Sequence, residues 1–398
     1  MNPELRFKNG LGNDYPDWEQ KKIDNVCKIQ TGSGNTQDKE DYAQYPFYVR
    51  SPIIEHSSKY IFDCEAVLTV GDGVGVGNVY HYINGKFNCH QRVYTMNEFN
   101  DIDGKYFYFF FSTHFGKRVK SMTAKTSVDS VRRDMIANMD IQMPKDIKEQ
   151  EKIAKLLSDI DEKIEKHAMY VEKLRNAKDA MLVKMFPQEG QKFPEIRFKG
   201  FSGGWEEKKL GDELLIQRGG SPRPIEAYIT NKDGFNWIKI GDAPVNGNRI
   251  IDVKEKIIKD GTRYSRAVYR GDLILSNSMS FGRPYILEVD GYIHDGWLLL
   301  RDEKHQFSLA FLCEVLGSKL VTQQYTKLAA GSTVNNLNKD LVSEVIISIP
   351  PTKGEQEKIG RFFTILDKKI ETNQQKYDKL CDVKKALLSK LFPTKEDE

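Results

Sequence analysis

The sequence predicts an α+β protein with two similar mixed α/β domains, separated by two long helices that form an antiparallel coiled coil with pseudo-two-fold symmetry. Three observations lead to this prediction. Segments of the first half return in the second half at a fixed offset. Each copy carries a long stretch of apolar residues at helical spacing, and short strand patterns between turn residues precede each stretch.

The internal repeat is the clearest of these observations. The motif EQEKI at residues 149–153 returns at residues 355–359, an offset of 206, and the same offset carries MFP onto LFP at residues 391–393. The opening motif PELRFK returns as PEIRFK 191 residues later, so the first portions of the two copies differ in length. A chain built as two copies of one unit suits a target with two parts.

The mixed region of each copy combines several strand patterns with one helix pattern. In the first copy, strands are predicted at 47–49, 66–70, 79–82, 92–94 and 141–144, and a helix over 105–120. In the second copy, strands are predicted at 237–240, 273–276, 284–289, 297–300 and 345–349, and a helix over 309–325. The order is similar but the residues differ, which indicates one fold carrying two different surfaces.

A seam of period 3.5 follows each mixed region and is typical of a coiled coil. The first seam consists of Ile153, Leu157, Ile160, Ile164, His167, Val171, Leu174, Lys178, Met181 and Met185. The second consists of Ile359, Phe363, Leu366, Ile370, Asn373, Tyr377, Leu380, Lys384, Leu387 and Leu391. Each helix ends at Phe-Pro, since proline cannot continue the hydrogen-bond ladder. Residues 149–186 would span about 57 Å, which exceeds the diameter of one small domain.

One polar residue interrupts each seam near the middle of its helix. His167 lies in the first seam and Asn373 in the second. An antiparallel pair centred there would bring them together, and a polar pair inside an apolar seam can specify register. The alternative is that both face water at a loose point of the seam.

Composition sets broad limits on the class of protein. The 398 residues carry a net charge of only +3, which neither requires nor excludes a nucleic-acid partner, because phosphate contacts depend on where charges lie. Five cysteines without C-x-x-C spacing indicate a reducing compartment rather than a disulfide framework. The first residues lack a signal-peptide pattern and no apolar run is long enough to cross a membrane, so a cytoplasmic protein is expected.

The motifs of the common enzyme classes do not occur in the sequence. There is no G-x-x-x-x-G-K-[ST] phosphate loop, no H-E-x-x-H metal motif and no Asn/Asp-Pro-Pro-aromatic tetrapeptide. The glycine-rich residues 71–77 follow a predicted strand, but a strand rather than a helix follows them, which disfavours a dinucleotide site. A loop between strands is expected instead, and such a loop could enter a DNA groove. The chain is expected to hold no cofactor or metal and to be no enzyme.

The doubled order of short motifs is specific although each motif is short. Each EQEKI helix start follows a proline, each opening motif is followed by Trp-Glu at Trp18 and Trp205, and residues 237–242 read WIKIGD. In this order, and over essentially the whole chain, the sequence resembles the specificity subunit of type I restriction–modification systems. The resemblance implies target recognition domains at residues 1–145 and 188–351, the second with a linker. It also implies conserved helices at 146–187 and 352–393, before a tail at 394–398.

The same resemblance implies the partners. Each recognition domain would read one half of an interrupted double-stranded DNA sequence, and the helix pair would set the spacer. Two adenine methyltransferase subunits, which bind S-adenosylmethionine, would dock along the helices. Two ATP-dependent restriction/translocase subunits, which use Mg²⁺, could join them.

Candidate DNA contacts are basic, amide-bearing and hydroxyl-bearing residues of the two domains. In the first domain they are Arg50, Lys59, Arg92, Lys117, Arg118, Lys125, Thr126 and Arg132. In the second domain they are Arg218, Arg223, Arg263, Arg266, Asn277, Arg283, Ser332 and Asn335. Arginine can read guanine and asparagine can read adenine, whereas phosphate contacts position the protein without reading sequence. For any one residue the alternative is an ordinary solvated side chain.

Two other classes of function compete with DNA recognition. A non-catalytic coiled-coil adaptor would join two protein-recognition domains without DNA. The basic residues around Arg118 and Arg132 disfavour this class. A free-standing enzyme is disfavoured by the missing motifs.

Overall fold

The chain divides into two compact units. The computed structural model describes residues 3–123, 130–277, 282–330 and 337–392. The first unit comprises residues 1–166 and 377–398, and the second comprises residues 167–376. Each unit therefore contains one mixed region together with part of both long helices.

The first unit is built on a six-stranded sheet. Its elements are β1 (Trp18–Lys22), β2 (Lys28–Thr31), β3 (Tyr45–Tyr48), β4 (Ile54–Ser57), β5 (Phe62–Val70), β6 (Tyr80–Cys89), β7 (Val93–Asn97), α1 (Gly104–Thr123), α2 (Arg133–Ala137), β8 (Asp140–Pro144) and the start of α3 (Ile147–Met185). The end of α9 (Lys353–Leu391) also belongs to this unit. The strand order is β2-β7-β5-β6-β3-β4, in which only the β3–β6 pair is parallel. Strands β1 and β8 form a separate antiparallel pair.

The second unit contains two five-stranded sheets and a strand pair. Its strands are β9 (Glu206–Lys209), β10 (Leu215–Arg218), β11 (Ile229–Thr230), β12 (Phe235–Ile238), β13 (Arg249–Ile250), β14 (Lys256–Ile257), β15 (Arg266–Val268), β16 (Leu273–Ser276), β17 (Pro284–Leu287), β18 (Gly291–Ile293), β19 (Trp297–Arg301) and β20 (Ile346–Ile349). Its helices are α4 (Leu210–Glu213), α5 (Lys259–Thr262), α6 (Leu309–Gly317), α7 (Lys319–Ala330), α8 (Lys339–Ser343) and part of α9 (Lys353–Leu391). The sheet orders are β10-β19-β16-β17-β13 and β11-β14-β12-β18-β15, and β9 pairs with β20.

A buried aromatic helix forms the core of the first unit. Of the six consecutive aromatics at residues 106–111 of α1, all but Tyr108 are buried. This helix packs beside the apolar faces of β5 and β7, represented by Val67 and Met96, neither of which is exposed. The apolar run is therefore explained by a helix with protein on most sides rather than by an amphipathic surface helix.

The structure divides the helix predicted over residues 309–325 into α6 and α7. Gly317 ends α6, and Ser318 adopts extended backbone with ψ 155° before α7 begins. The apolar pattern continues through the break because both helices pack on the same core, so periodicity alone could not reveal it. Likewise Ile240 lies in a 3-10 turn rather than in the strand predicted over residues 237–240.

The first turn of each long helix carries a glutamine that binds the mixed region. Gln150 accepts a hydrogen bond from the backbone N–H of Asp103 at 2.9 Å, just before α1. Gln356 accepts one from the backbone N–H of Ser308 at 2.9 Å, just before α6. The glutamine of EQEKI thus caps the start of the domain helix in each unit, which supplies a partner for an otherwise unpaired N–H group.

Within each unit the two long helices run antiparallel. In the first unit Lys384 pairs with Asp161, and in the second unit Lys178 pairs with Asp367 at 2.7 Å. Every seam position named above is buried or half-buried, whereas residues between them are mostly exposed. The burial pattern has the period of 3.5 that the sequence indicates.

The expected approach of His167 and Asn373 differs from the observed register. Lys178 faces Asp367, and Arg175 donates to Gln374 at 3.1 Å. An antiparallel run with these partners places Asn373 opposite residues 172 to 176, at least about 7 Å along the helix from His167. The Asn373 amide instead donates to the carbonyl of Lys369 at 2.7 Å, within its own helix.

Candidate nucleic-acid interface

Four segments of the first unit meet at one end of its sheet. They are the glycine segment after β2 (residues 32–38), the β5–β6 loop (71–79), the β6–β7 turn (90–92) and the segment before α2 (130–132). We call these segments the loop junction of the unit. The backbone hydrogen bonds that join them are Gly34 N to Cys89 O at 3.1 Å, Gln91 N to Gly34 O at 2.9 Å, Gly71 N to Arg92 O at 2.7 Å and Val131 N to Gly71 O at 2.8 Å.

The second unit has an equivalent loop junction. Its described residues are 219–224 after β10, Asn277 and Gly282 between β16 and β17, the β18–β19 turn at 294–296, and Leu337 before α8. The joining bonds are Gly220 N to Ile293 O at 3.0 Å, Asn277 N to Gly296 O at 3.0 Å and Leu337 N to Asn277 O at 3.3 Å. The backbone frame of the junction therefore repeats, although its residues do not.

One glycine in each junction permits a close backbone approach. A Cβ at Gly32 would lie 2.0 Å from the carbonyl oxygen of Cys89, and a Cβ at Gly219 would lie 2.1 Å from that of His294. Neither distance is compatible with any side chain, so glycine is required at both positions. The glycine segment is thereby held against the neighbouring turn.

A histidine organises the turn in both junctions. Nδ1 of His90 accepts from the backbone N–H of Arg92 at 3.0 Å, and Nδ1 of His294 accepts from that of Gly296 at 2.9 Å. Burial lowers the pKa of both histidines, so the neutral form with a proton on Nε2 is favoured near neutral pH. These histidines are structural residues of the turn.

Arginines surround a carboxylate in the first junction. Asp72 lies 3.3 Å from Nη1 of Arg50 and 3.7 Å from Nε of Arg92. Both arginine side chains are about half exposed or more, so they remain accessible to a polyanion. At the tip of the same loop, Val74 is fully exposed.

The second junction is also centred on a carboxylate. Oδ2 of Asp295 lies 3.7 Å from Nη2 of Arg223, and the backbone carbonyl of Asp295 accepts from Nε of Arg218 at 3.3 Å. The same carbonyl accepts from the Asn277 amide at 2.8 Å. Two arginines and one asparagine expected from sequence therefore converge on one turn.

The structure separates the remaining candidates into several places. Arg132 is exposed within the first junction, while Lys59, Lys117, Arg263 and Arg266 are exposed outside the junction segments. Four further candidates, Lys125, Thr126, Ser332 and Asn335, lie outside the described residues.

Two of the candidate arginines support their own fold. Nε of Arg118 donates to the carbonyl of Met135 at 2.8 Å. Arg283 donates to the carbonyls of Val245 and Gly247 at 3.1 and 2.8 Å and lies over the ring of Tyr285. Replacing Arg283 would therefore disturb the loop that it holds, whether or not it contacts DNA.

Sequence reasoning missed the polar residues at the centre of each junction. Asn35, Gln91, Ser221 and Asp295 were outside the candidate set, which favoured basic residues. The signal that could have found them is the pair of histidine turns, His90-Gln91-Arg92 and His294-Asp295-Gly296, in equivalent places between two strands. A glycine segment after β2 in the first copy and after β10 in the second completes that signal.

Within the described residues, no group of three or more His, Cys, Asp or Glu side chains is placed to hold a metal ion. None of the helices in the described ranges combines the length and apolar character needed to span a membrane.

Comparison with known proteins identifies similar sequences over most of the chain. A family model for the type I restriction modification DNA specificity domain matches residues 15–172 and 202–381. The chain is 23% identical to the MjaVIII type I restriction enzyme specificity subunit of Methanocaldococcus jannaschii, over 98% of this chain and 96% of that subunit. It is 20% identical to the EcoDI specificity subunit of Escherichia coli, over 87% of this chain and 80% of that subunit.

Solved structures share the fold. The crystal structure of a type I restriction–modification S subunit from M. genitalium aligns with 99% of this chain and 100% of its own, with a TM-score of 0.72 and 18% identity. A chain solved in work on the complex assembly and conformational transition of the type I system aligns with 95% of this chain and 98% of its own, with a TM-score of 0.54 and 15% identity. The α+β architecture with two long helices is common to these proteins.

Proposed function

Because the chain belongs to the DNA specificity-subunit family of type I restriction–modification systems, we propose that each of its two units reads one half of an interrupted DNA site through its loop junction. Specificity subunits are the non-catalytic DNA-recognition components of these systems. They assemble with other restriction–modification subunits and DNA.

One observation supports the assignment of reading to the loop junctions. Three backbone hydrogen bonds of the loop junction have counterparts in both units; one example is Gly71 N to Arg92 O, which corresponds to Asn277 N to Gly296 O. The side chains that this backbone frame presents differ between the units. A constant frame with variable side chains is what a module needs if two copies are to read different base sequences. A catalytic site would instead require the same chemistry in a fixed place.

The charged groups of the junctions suit the two parts of DNA recognition. Arg50 and Arg92 in the first unit, and Arg223 in the second, expose their guanidinium groups beside a carboxylate. Each guanidinium lies 3.3 to 3.7 Å from its carboxylate and stays exposed. Exposed arginines of this kind can contact phosphates or bidentately read guanine.

The long helices would set the spacer between the half-sites. Each is 39 residues long, or about 58 Å at 1.5 Å per residue, and each contributes to both units. We further propose that two adenine methyltransferase subunits, carrying S-adenosylmethionine, dock along these helices. Two restriction/translocase subunits with ATP and Mg²⁺ would join the same complex.

Methylation mapping tests the proposed function directly. The chain would be expressed with its methyltransferase subunit in a host lacking adenine methylation, and N6-methyladenine would be mapped by single-molecule sequencing. We expect an interrupted motif with one methylated adenine in each half, on opposite strands. Soluble, co-purifying proteins that leave no motif would refute the proposal and favour an adaptor that binds no DNA.

A helix insertion tests the role of the helices in the same assay. Adding one turn to both α3 and α9 at matched positions should change the permitted spacer length while leaving both half-sites unchanged. An unchanged spacer would show that the helices do not set it.

A further inference from the structure

The centre of the histidine turn bonds to the glycine segment in the first unit. Nε2 of Gln91 donates to Oδ1 of Asn35 at 2.9 Å, and both side chains are accessible to solvent. The backbone N–H of Gln91 also donates to the carbonyl of Gly34 at 2.9 Å, directly before Asn35. Gln91 is therefore fixed in place by its backbone and by its amide.

The second unit has a pair of different chemistry at the same place. Asp295 occupies the centre of the turn, one residue after His294, and Ser221 follows the second glycine of its segment. The Ser221 hydroxyl donates to Oδ1 of Asp295 at 2.8 Å and accepts from the backbone N–H of Asp295 at 3.4 Å. The two pairs are equivalent in position, since each joins the turn centre to the residue after a junction glycine.

The two pairs present different hydrogen-bonding groups. The Gln91 amide uses one N–H on Asn35, which leaves its second N–H and its oxygen to serve as one donor and one acceptor. Oδ1 of Asp295 accepts from Ser221 and lies 3.0 Å from Nε2 of His294. A carboxylate carries no donor, so this side chain presents only acceptors. A difference of this kind at one position is what distinguishes bases in the major groove.

We infer that Gln91 and Asp295 are equivalent base-reading residues, which Asn35 and Ser221 hold in position. Gln91 would read an adenine, bonding its N7 and N6 amino group, in the half-site of the first unit. Asp295 would accept from the N4 amino group of a cytosine in the half-site of the second unit. This inference rests on the proposed function and adds the chemistry by which each half-site is read.

The negative charge of Asp295 favours a base rather than a phosphate as its partner. A carboxylate that faced a phosphate would be repelled, whereas the exposed Arg223 and Arg218 beside it are suited to phosphates. Cytosine offers an amino group without a neighbouring acceptor on its major-groove edge. Adenine would place its N7 lone pair against the carboxylate, which disfavours it.

Exchange of the two pairs tests the inference in the complete complex with the methyltransferase subunit. The variant Asn35→Ser with Gln91→Asp should change one position of the first half-site from adenine to cytosine in the methylation map. The reverse exchange, Ser221→Asn with Asp295→Gln, should change one position of the second half-site from cytosine to adenine. In each variant the untouched half-site is the internal control for folding and assembly.

The possible outcomes separate the inference from the proposed function. A wild-type complex that yields no interrupted motif refutes the proposed function. A wild-type motif that both exchanged complexes retain unchanged refutes only the inference and leaves these pairs as structural contacts. A change confined to the expected half-site supports the inference.

A modified DNA probe provides a test that does not depend on the exchanged variants folding. In binding measurements with the wild-type complex, 7-deazaadenine would replace each adenine of the first half-site in turn, removing the N7 acceptor. One position should weaken binding about tenfold to a hundredfold, as expected for loss of a good base contact. The single variant Gln91→Ala should be insensitive to that replacement. Equal sensitivity of the variant and the wild type would overturn the assignment of Gln91.

Discussion

Arg6 and Glu149 form a two-pronged ion pair although 143 residues separate them in the chain. Nε of Arg6 donates to Oε1 of Glu149 at 3.1 Å, and Nη2 donates to Oε2 at 2.8 Å. In the second unit Arg197 and Glu355 repeat the pair with distances of 2.7 and 2.8 Å. The opening motif and the helix start, two separate marks of the repeat, are therefore the two partners of one interaction.

In each unit the same arginine also donates hydrogen bonds to the backbone of the segment that follows the opening motif. Nη2 of Arg6 donates to the carbonyl of Pro16 at 2.7 Å, and Nη1 of Arg197 donates to that of Gly203 at 2.7 Å. The glutamate side chains are essentially unexposed, at 0% for Glu149 and 1% for Glu355. A buried carboxylate of this kind depends on its arginine for compensation.

Removing Arg6 should strongly destabilise the first unit. Arg6→Ala leaves Glu149 buried without its counter-charge, which typically costs about 3–5 kcal/mol. The free energy of unfolding would be measured by urea titration. Lys28→Ala is the matched control, because the Lys28–Glu98 pair is more than half exposed on both sides and should contribute no more than about 1 kcal/mol. Equal effects of the two substitutions would contradict the assigned role of Arg6.

The phenylalanines at the helix ends should stabilise different units. Phe392, at the end of α9, packs against Tyr106 and Phe110 of the first unit with ring centroids 5.4 and 5.8 Å apart. Phe186, at the end of α3, packs against Trp205 and Phe311 of the second unit, both at 5.8 Å. Each Phe→Ala substitution should cost about 3–5 kcal/mol in its own unit.

Hydrogen exchange can locate these two effects. Phe392→Ala should reduce protection in α1, and Phe186→Ala should reduce protection in α6. Met169→Ala provides a control, since that side chain is 56% exposed and should change stability by less than about 0.5 kcal/mol. Loss of protection in the opposite unit would contradict the packing described here.

Glu314 should make the stability of the second unit depend on pH. Burial, opposed by Lys178 and reinforced by Asp367, raises the pKa of Glu314 from 4.5 to about 7. A raised pKa means that the folded state favours the protonated form. The resulting stabilisation is complete below about pH 4.5, falls as pH rises, and is lost above about pH 7. Over this range the free energy of unfolding should change by on the order of 3 kcal/mol.

The variant Glu314→Gln should remove this dependence. Thermal unfolding from pH 5 to 8 should show a flatter profile and a higher melting temperature than wild type at pH 8. Glu371→Gln on the exposed face of α9 is the control. If the melting temperature of the Glu314→Gln variant depended on pH as that of the wild type does, the prediction would be refuted.

Glycine substitutions should disturb one junction at a time. Gly219→Ala places a Cβ against the carbonyl of His294 and should displace the histidine turn of the second unit, at a cost of about 1–3 kcal/mol. Methylation mapping should then show loss or relaxation of one half-site only. Gly241→Ala is the matched control in the same unit, since its Cβ would meet no atom within 4 Å. Normal reading of both half-sites by Gly219→Ala would show that the turn does not contribute to recognition.

Sequence patterns were sufficient for features that depend on repetition along the chain. The offset of 206 fixes which residues are equivalent, and the period of 3.5 identifies the helix faces that become buried. Both patterns are visible in the sequence because a buried position requires an apolar residue, whichever residue it contacts. The break between α6 and α7 was missed for the same reason, since the apolar pattern continues on both sides of it.

Tertiary structure alone decided which polar groups meet. The pairs Gln91–Asn35 and Asp295–Ser221 join residues 56 and 74 positions apart, and nothing in local sequence fixes those distances. The register of the helix pair likewise depended on individual ion pairs such as Lys178 with Asp367, which moved Asn373 away from His167. Hydrogen bonds require placement to a fraction of an ångström, whereas apolar burial tolerates any neighbour of suitable size. The sequence therefore determined the repeated architecture, and the folded chain determined the chemistry that its two units present.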